Sequence, residues 1–231
     1  MQIDALGDRA ILVTLGDIAD SATRLRVRAC YERLLERPPT GVTDIVPGFA
    51  SIVIHYDPTD VGQGEATGIH AQLAATIERL LRGAEHPRVE RARLVELPVC
   101  YDESLAPDLG DVAAHAGLTA GQLVDAHVAA EYVVHMVGFL PGFPYLGGLD
   151  PRLTTPRRSS PRTRVPAGSV GIGGSQTGVY PIESPGGWQL IGRTPTRLFD
   201  VGCNPPALLC IGDRVRFVPL SLAEYQRAVR A

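Results

Sequence analysis

The sequence predicts an α+β protein with a small N-terminal α/β sandwich domain followed by a C-terminal β-barrel domain. Two hairpin patterns alternate with two helical patterns in about the first 85 residues. The stretch that follows, residues 82–93, is polar, lacks a hydrophobic period and has the character of a linker. Farther along, 21 of the 58 residues from 138 to 195 are Gly or Pro, and short β-type runs interrupt them. We therefore expect two domains, residues 1–88 and 89–231.

The first hairpin and helix are indicated by apolar runs and capping residues. Strands are expected near residues 2–6 and 10–15, on either side of a Gly-Asp turn. A helix is expected to begin after a cap at Asp20 or Ser21 and to end near Glu36, ahead of a Pro-Pro pair.

The second hairpin and helix complete this unit. Val42–Val46 and Ser51–Tyr56 are expected to pair around a Pro-Gly turn. Apolar residues spaced for one face of a helix come next: Ile69, Leu73, Ile77, Leu80 and Leu81. This alternation predicts a small sheet with its helices packed on one side.

The second domain is expected to begin with the strand Leu94–Val99. Two short helices, Asp108–Ala116 and Gly121–Ala130, follow it, and Thr119 is the expected N-cap of the second. The alternation of apolar and polar side chains then predicts a strand over Tyr132–Val137.

The Gly- and Pro-rich segment has two explanations, disorder or a compact barrel whose glycines permit sharp bends. The recurring β-type runs favour the barrel. Its expected strands are Ser169–Ile172, Val179–Ile182, Trp188–Ile191, Leu208–Ile211 and Arg214–Val218. A short amphipathic helix, Leu222–Val229, is expected after them.

Composition excludes several classes of protein. The net charge is -3 and the pI about 6.1, which argues against nucleic-acid binding by massed positive charge. No run reaches the roughly 18 apolar residues of a membrane span, and the N-terminal residues do not resemble a signal peptide. We expect a cytoplasmic protein that binds neither nucleic acid nor membranes.

The absence of lysine is the most informative count, since all 22 basic residues are arginine. It excludes a P-loop, Schiff-base chemistry and a biotin attached covalently to this chain. The four cysteines form no CxxC pair and match no metal-binding spacing, so we expect reduced, mostly buried thiols and no metal site.

Five arginines, Arg152, Arg157, Arg158, Arg162 and Arg164, lie within 13 residues that contain no acid. Guanidinium groups bind carboxylates and phosphates, and the interspersed prolines restrict the loop that carries them. Two interpretations stay open: an anion-binding loop, or a solvated basic loop that pairs with acids elsewhere.

Polar groups beside glycines occur in two further segments, Gln176–Tyr180 and Ser184–Gln189. They suit recognition of a small polar ligand, or Trp188 simply fills the barrel. The glycines of Gly171–Gly174 resemble part of a phosphate loop, but no capped helix follows them, which favours a tight turn between strands. His127 lies near a helix end, where a positive charge is favourable, and is a candidate general acid or base.

The motifs FLPGFPYL (139–146), RTRVPAGSVGIGGSQTGVYP (162–181) and ESPGGWQLIGRTP (183–195) closely resemble the family of B-type 5-oxoprolinase subunits. This family also includes proteins called allophanate hydrolase subunit 1 and the Kip-type sporulation kinase inhibitor. The resemblance extends over nearly the whole chain. It implies that the C-terminal barrel is cyclophilin-like.

The resemblance also implies an activity and partners. The expected function is ATP-dependent hydrolysis of the lactam 5-oxoproline to glutamate, at a composite site shared with a homologue of the C-type 5-oxoprolinase subunit and completed by an A-type subunit of the LamB/YcsF kind. ATP is the expected cofactor, bound here or by a partner. The alternatives are a biotin-dependent carboxyltransferase-type subunit, related to urea carboxylase, and a KipI-type inhibitor of a histidine kinase.

Candidate site residues lie mainly in these motifs. Catalytic roles are predicted for His127, Arg164 and Gln176. Arg162, Arg164 and Arg193 are candidates to stabilise charge that develops on oxygen atoms. Substrate-binding roles are predicted for Phe139, Pro141, Phe143, Tyr145, Arg162, Pro166, Gly168, Thr177, Tyr180, Gly186, Gly187, Trp188, Gln189, Arg193 and Thr194.

Overall fold

The computed structural model describes residues 1–17, 20–61, 66–84 and 92–230. The chain forms two compact units, Met1–Glu90 and Arg91–Ala231. The predicted boundary between residues 88 and 89, with most of the predicted linker, lies outside the described residues.

The N-terminal unit is a four-stranded antiparallel sheet with helices against one face. Strands β1 to β4 pair in the order β1-β2-β4-β3. The bounds are β1 Gln2–Ala5, β2 Ala10–Thr14, α1 Ser21–Glu36, β3 Val42–Pro47, β4 Ser51–Tyr56, α2 Pro58–Val61 and α3 Ala66–Leu81. Both predicted hairpins and both predicted helices are confirmed.

Helix α1 begins where the sequence indicates a cap, because the Asp20 side chain accepts a hydrogen bond from the Thr23 backbone N–H at 2.7 Å. The apolar face of the sheet packs against α1 and α3. Its core contains Ile11, Val13, Leu34, Ile52, Ile54, Leu73 and Ile77. Four of the five predicted apolar positions of α3 are buried, and Leu80 is partly exposed.

The C-terminal unit is built on a closed seven-stranded barrel with the strand order β10-β7-β6-β13-β5-β12-β9. Its elements are β5 Leu94–Cys100, α4 Leu109–Ala116, α5 Ala120–Ala129, β6 Tyr132–Val137, β7 Pro144–Gly147, a 3₁₀ turn at Pro151–Leu153, β8 Arg162–Val165, β9 Ser169–Gly173, β10 Gln176–Val179, β11 Ser184–Gly186, β12 Gln189–Arg193, β13 Arg214–Leu220 and α6 Leu222–Arg230. The predicted α+β class with a C-terminal β-barrel is confirmed.

Strands β5 and β13 run parallel and pair along their whole length, from Leu94 opposite Arg214 to Cys100 opposite Leu220. The remaining barrel pairs are antiparallel, and β8 with β11 forms a separate two-stranded ribbon. The barrel interior contains Leu97, Val99, Tyr132, Leu146, Ile172, Val179, Val215 and Phe217.

Helix α5 has the capping box that the sequence suggests. The Thr119 hydroxyl accepts from the Gln122 backbone N–H at 3.2 Å, and the Gln122 side chain accepts from the Thr119 N–H at 2.9 Å. Among the described helices, none combines the length and the hydropathy that crossing a membrane requires.

Two predicted strands differ from the observed ones. The ladder of β10 ends at Val179, and Pro181 follows with no N–H to extend it. Leu208–Ile211 is irregular because its backbone N–H groups do not donate to one neighbouring strand. The Leu208 N–H donates to the Leu198 carbonyl, and the Cys210 N–H donates to the Asp213 carboxylate.

Candidate ligand-binding site

The Phe143 side chain, 1% exposed, is the centre of an aromatic cluster in the C-terminal unit. Its ring centroid lies 4.9 Å from that of Tyr145, 5.1 Å from that of Tyr180 and 5.4 Å from that of Trp188, all in edge-to-face arrangement. These contacts pair the positive edge of one ring with the negative face of the next, which fixes the rings in a defined geometry.

The cluster forms the wall of a pocket of about 320 Å³, which we call the aromatic pocket. Its lining is aromatic and apolar apart from two guanidinium groups and two phenols. It consists of Phe139, Phe143, Tyr145, Arg157, Arg158, Pro161, Tyr180, Pro185, Gly186, Gly187 and Trp188. The structure thus brings seven of the predicted substrate-binding residues together in one concave site, the usual form of a small-molecule site.

Phe139 holds an unusual conformation at the rim of this pocket. Its φ is +69°, and it is the one non-glycine residue of the described chain in the left-handed region. Its side chain is nevertheless 62% exposed and meets Phe143 edge-on at 5.6 Å. A left-handed aromatic residue costs on the order of 1 kcal/mol or more, and such strain is concentrated at ligand-binding positions.

The two phenols of the aromatic pocket are neutral at physiological pH. Burial raises the pKa of both Tyr145 and Tyr180 above the ordinary value of 10.0. Each therefore keeps its proton, and the pocket adds phenol hydroxyls to its apolar walls, which suits a small ring that carries oxygen atoms.

The glycines of Gly171–Gly174 serve a tight turn, as one of the two interpretations held. β9 and β10 form a hairpin around Gly174, whose φ is +65°. A Cβ on Gly173 would lie 2.5 Å from the Trp188 indole, so this position must be glycine for the ring to sit against the strand.

The arginine cluster divides between the two interpretations. Arg152 pairs with Asp150 at 2.6 Å, and Arg164 pairs with Glu183 at 2.7 Å on the exposed surface. Arg158 and Arg162 both pair with Asp108. Four of the five guanidinium groups thus pair with acids from outside the basic window.

Asp108 holds two of these arginines in place, and the sequence analysis did not single it out. Its carboxylate is 2% exposed; Oδ1 accepts from Arg162 at 2.7 Å and from Arg158 at 3.2 Å, and Oδ2 accepts from the Leu190 N–H at 2.6 Å. The Asp108 N–H donates in return to the Leu190 carbonyl at 3.0 Å. The sequence contains one indication of such a residue: five arginines lie in a window without an acid, so carboxylates that pair with them must come from other segments.

Arg157 is the exception in the cluster. In the part of the chain that the structure describes, it forms no ion pair, and its Cζ lies 5.8 Å above the centre of the Trp188 ring. This cation–π contact holds a positive charge at the edge of the aromatic pocket while leaving the guanidinium donors available.

A second pocket, of about 400 Å³, lies beside Arg157 and Arg158, between α4 and the loop formed by residues 155–160. We call it the arginine pocket. It is lined by Asp111, Val112, His115, Thr155, Pro156, Arg157, Arg158, Ser159, Ser160 and Gln189.

His127, predicted as catalytic, lies in the barrel interior and outside both pockets. It has no exposed surface; Nδ1 accepts from the Tyr101 hydroxyl at 2.9 Å, and Nε2 lies 3.1 Å from the Thr177 hydroxyl, which itself donates to the Gly171 carbonyl. Thr177 therefore accepts from Nε2–H, which fixes the neutral tautomer. Desolvation lowers the pKa of His127 from 6.5 to about 3. The geometry supports a packing role for His127.

Gln176 and Arg164, the other two predicted catalytic residues, also lie apart from the aromatic pocket. Gln176 is the first residue of β10 and pairs with Gly173 in the hairpin. Arg164 is exposed and paired with Glu183.

A further group of predicted residues binds a loop to the barrel strands. The Gly168 N–H donates to the Tyr180 carbonyl at 2.7 Å, and its carbonyl accepts from the Thr194 N–H at 2.9 Å. The Pro166 carbonyl accepts from a backbone N–H in the same turn, and the Arg193 Nε donates to the Ala167 carbonyl at 2.8 Å. Their contacts are structural, and none of them lines either pocket.

The remaining predicted residues have separate positions. Arg162 is held by Asp108, Thr177 lies in the buried chain with His127, and Pro141 is exposed. Gln189 lines the arginine pocket, where its Nε2 donates to the Pro156 carbonyl at 3.0 Å.

None of the four cysteines forms a disulfide; Cys30 and Cys100 are buried as expected, whereas Cys203 and Cys210 are exposed. Burial raises the pKa of the Cys30 thiol to about 11. Among the described residues, no group of three or more His, Cys, Asp and Glu side chains is arranged to hold a metal ion.

Comparisons with known proteins agree with this architecture. Residues 1–209 match the family described as "Carboxyltransferase domain, subdomain C and D". The B-type 5-oxoprolinase subunit of Bacillus subtilis (strain 168) is 45% identical over 228 residues, which cover 97% of this chain and 95% of that protein. Its counterpart of the same name from Escherichia coli O157:H7 is 46% identical over 217 residues, covering 93% and 94%.

The crystal structure of TTHA0988 superposes with a TM-score of 0.77 at 38% identity; the match covers 92% of this chain but only 40% of TTHA0988. The chain therefore belongs to the family of B-type 5-oxoprolinase subunits, within the carboxyltransferase domain, subdomain C and D.

The burial of neutral His127 predicts a pH dependence of stability. The pKa of His127 is about 3 in the folded chain and near 6.5 in the unfolded chain, which therefore binds more protons between these values. The free energy of unfolding should fall as the pH drops through this window, by about 2 kcal/mol between pH 7 and pH 5 from this residue.

Urea unfolding at several pH values measures this dependence, and His127→Gln is the matched control. Glutamine keeps a donor and an acceptor but does not titrate, so this contribution should disappear. An NMR titration of the wild-type chain that shows His127 protonating near pH 6.5 would contradict the assignment.

The second prediction concerns the Asp108 carboxylate. Asp108→Asn removes the charge that two partly buried guanidinium groups share, and we expect a loss of about 3 kcal/mol in the free energy of unfolding. Asp150→Asn is the control, because it weakens a comparable but exposed pair with Arg152 and should cost less than about 1 kcal/mol. Equal, small losses in urea denaturation of both variants would show that Asp108 does not organise the loop.

Proposed function

We propose that this chain is the B-type subunit of an ATP-dependent 5-oxoprolinase, which hydrolyses the lactam of 5-oxoproline to give glutamate. The observation that carries the proposal is 45% and 46% identity, over more than nine-tenths of each chain compared, to two proteins named as B-type subunits of 5-oxoprolinase. The aromatic pocket adds a physical reason, because it suits a small ring that carries oxygen atoms.

The chemistry requires activation of an unreactive amide. A lactam carbonyl is stabilised by resonance, and ATP supplies the phosphoryl group that makes its oxygen a leaving group. One 5-oxoproline, one ATP and two water molecules then give glutamate, ADP and phosphate. The negative charge that develops on oxygen atoms is stabilised by fixed N–H donors in a site from which water is excluded.

In this proposal the aromatic pocket holds the 5-oxoproline ring. The apolar edge of the ring packs among Phe139, Phe143 and Trp188, which exclude water from the lactam. The phenols of Tyr145 and Tyr180 remain protonated, because burial raises the pKa of each, and serve as donors to the ligand's oxygen atoms. Arg157, at the same edge, attracts the ligand's negative charge.

The pocket also suggests why partners are needed. Its described lining contains no carboxylate, imidazole or thiol that is able to act as a general base or a nucleophile. We therefore propose that a homologue of the C-type subunit contributes the missing groups at a composite site and that an A-type subunit of the LamB/YcsF kind completes the enzyme. The need for ATP places the assembly in the cytoplasm.

A carboxyltransferase-type role is the second candidate, because the matching family is described as a carboxyltransferase domain. With no lysine in the sequence, the biotin would have to arrive on a separate carrier. ATP-dependent carboxylation of urea in the presence of such a carrier distinguishes this candidate from 5-oxoprolinase activity.

Reconstitution tests the proposed function. The purified chain should show no ATP-dependent release of glutamate from 5-oxoproline, whereas the chain purified with its A-type and C-type partners should show it. Glutamate release by the chain alone would contradict the composite site. An assembled complex that carboxylates urea and leaves 5-oxoproline intact would contradict the function itself.

The Phe139 side chain allows a sharper test of the pocket. Phe139→Gly removes an aromatic wall but also relieves the left-handed backbone strain, which offsets the lost ring contact and the added freedom of the unfolded chain, so the free energy of unfolding should stay within about 1 kcal/mol of the wild type. In the reconstituted complex we expect KM for 5-oxoproline to rise about fivefold or more, from the lost ring contact.

Val229→Ala, which trims a side chain 58% exposed on α6, is the control for loss of exposed apolar surface and should leave KM unchanged. An unchanged KM in Phe139→Gly would place the substrate elsewhere.

A further inference from the structure

The arginine pocket has the chemistry of an anion site. It adjoins the aromatic pocket, with which it shares Arg157 and Arg158. Arg157 and Arg158 line it with a single carboxylate, Asp111, and the His115 ring and the hydroxyls of Ser159 and Ser160 also belong to the lining. We propose that this pocket binds the phosphate of a phosphorylated ligand and that Arg157 is its principal charged contact. In the proposed 5-oxoprolinase this ligand is ATP, and that part of the inference rests on the proposed function.

One arginine of the pocket lining, Arg158, has an incomplete set of hydrogen bonds. Arg158 Nε and Arg162 NH1 have no hydrogen-bond partner in the described part of the chain, although both atoms are inaccessible to solvent. A guanidinium N–H that is buried without a partner is costly, and guanidinium groups form strong, often bidentate hydrogen bonds with phosphate oxygens. Arg158 lines the pocket and Arg162 does not, so the incomplete bonding of Arg158 lies beside the proposed site; because its Nε is itself enclosed, the direct contact with the ligand falls to Arg157.

The loop is held in one conformation before any ligand binds. Thr155 and Gly174 exchange two backbone hydrogen bonds, of 3.2 and 2.8 Å, and the Arg158 N–H donates to the Gly187 carbonyl at 2.8 Å. The Asp108 carboxylate fixes the Arg158 guanidinium at its far end. Ordering the loop therefore costs little when a ligand binds, which is the condition for a preorganised site.

The two pockets share Arg157 and Arg158 in their linings. A phosphate in the arginine pocket would therefore lie beside a ring in the aromatic pocket, which is the juxtaposition that phosphoryl transfer to a lactam oxygen requires.

A phosphate fits this pocket better than a carboxylate. A phosphate group presents three or more acceptor oxygens, enough for two guanidinium groups and two hydroxyls, whereas a carboxylate presents two. The pocket, about 400 Å³, also has room for more than one phosphate group.

Fluorescence of the full chain tests the proposal. Trp188 is the sole tryptophan of the sequence and lies under Arg157, so its emission reports on both pockets. Inorganic phosphate and ADP, titrated at constant ionic strength with chloride as the reference anion, should each change the emission in a saturable way. Calorimetry should give the same dissociation constants.

Arg157→Gln and Arg152→Gln form a matched pair, since both remove one exposed charge from the same segment. Arg152 pairs with Asp150 and lines neither pocket. We expect phosphate and ADP to bind about tenfold or more weakly to Arg157→Gln and with wild-type affinity to Arg152→Gln. Equal melting temperatures would exclude a folding defect.

Three results would overturn the proposal: no saturable response to phosphate or ADP, equal affinities in the two variants, or binding of 5-oxoproline to Arg157 with no response to phosphate. The last result would make the site a carboxylate site. A reconstituted complex that fails to hydrolyse 5-oxoproline would refute the proposed function without changing the outcome of these titrations.

Discussion

The buried carboxylate of Asp108 is the interaction on which the arrangement of the candidate site depends. It joins the start of α4, the backbone of β12, Arg158 of the loop formed by residues 155–160 and Arg162 at the start of β8. Removing a carboxylate from water is expensive unless charged and N–H donors surround it, and here all of its described partners are of that kind. The same contact that stabilises Asp108 therefore determines where the arginine loop lies, and with it one wall of each pocket.

The aromatic pocket depends on a second constraint, close packing against glycine. The Trp188 indole occupies the space where Gly173 lacks a side chain, and Gly186 leaves room for the Tyr180 hydroxyl in the same way. With these rings fixed around Phe143, the strained Phe139 is left as the exposed ring at the rim. Packing energy within the cluster offsets the local strain, so the pocket keeps its shape without a ligand.

The buried His127 and the exposed Arg157 show how environment decides the chemistry of a side chain. His127 is a suitable acid or base by residue type, but complete burial keeps it neutral and its two ring nitrogens are occupied. Arg157 is one of five arginines in the cluster, and the other four pair with acids. Because Arg157 lies over Trp188 and away from those acids, its charge faces the two pockets. Exposure and partners therefore separate the residues suited to binding from those that stabilise the fold.

The sequence by itself determined the secondary structure of the N-terminal unit, the capped helices α1 and α5, and the barrel class of the C-terminal unit, because caps, turn residues and hydrophobic periods act over a few positions. It also identified most of the aromatic pocket, since those residues occur in compact motifs. Only the tertiary structure decided that His127 is enclosed, that Arg164 pairs with Glu183, and that Asp108 organises the arginine loop. These outcomes depend on contacts between distant segments, and burial and charge pairing across such distances leave no periodic signal in the sequence.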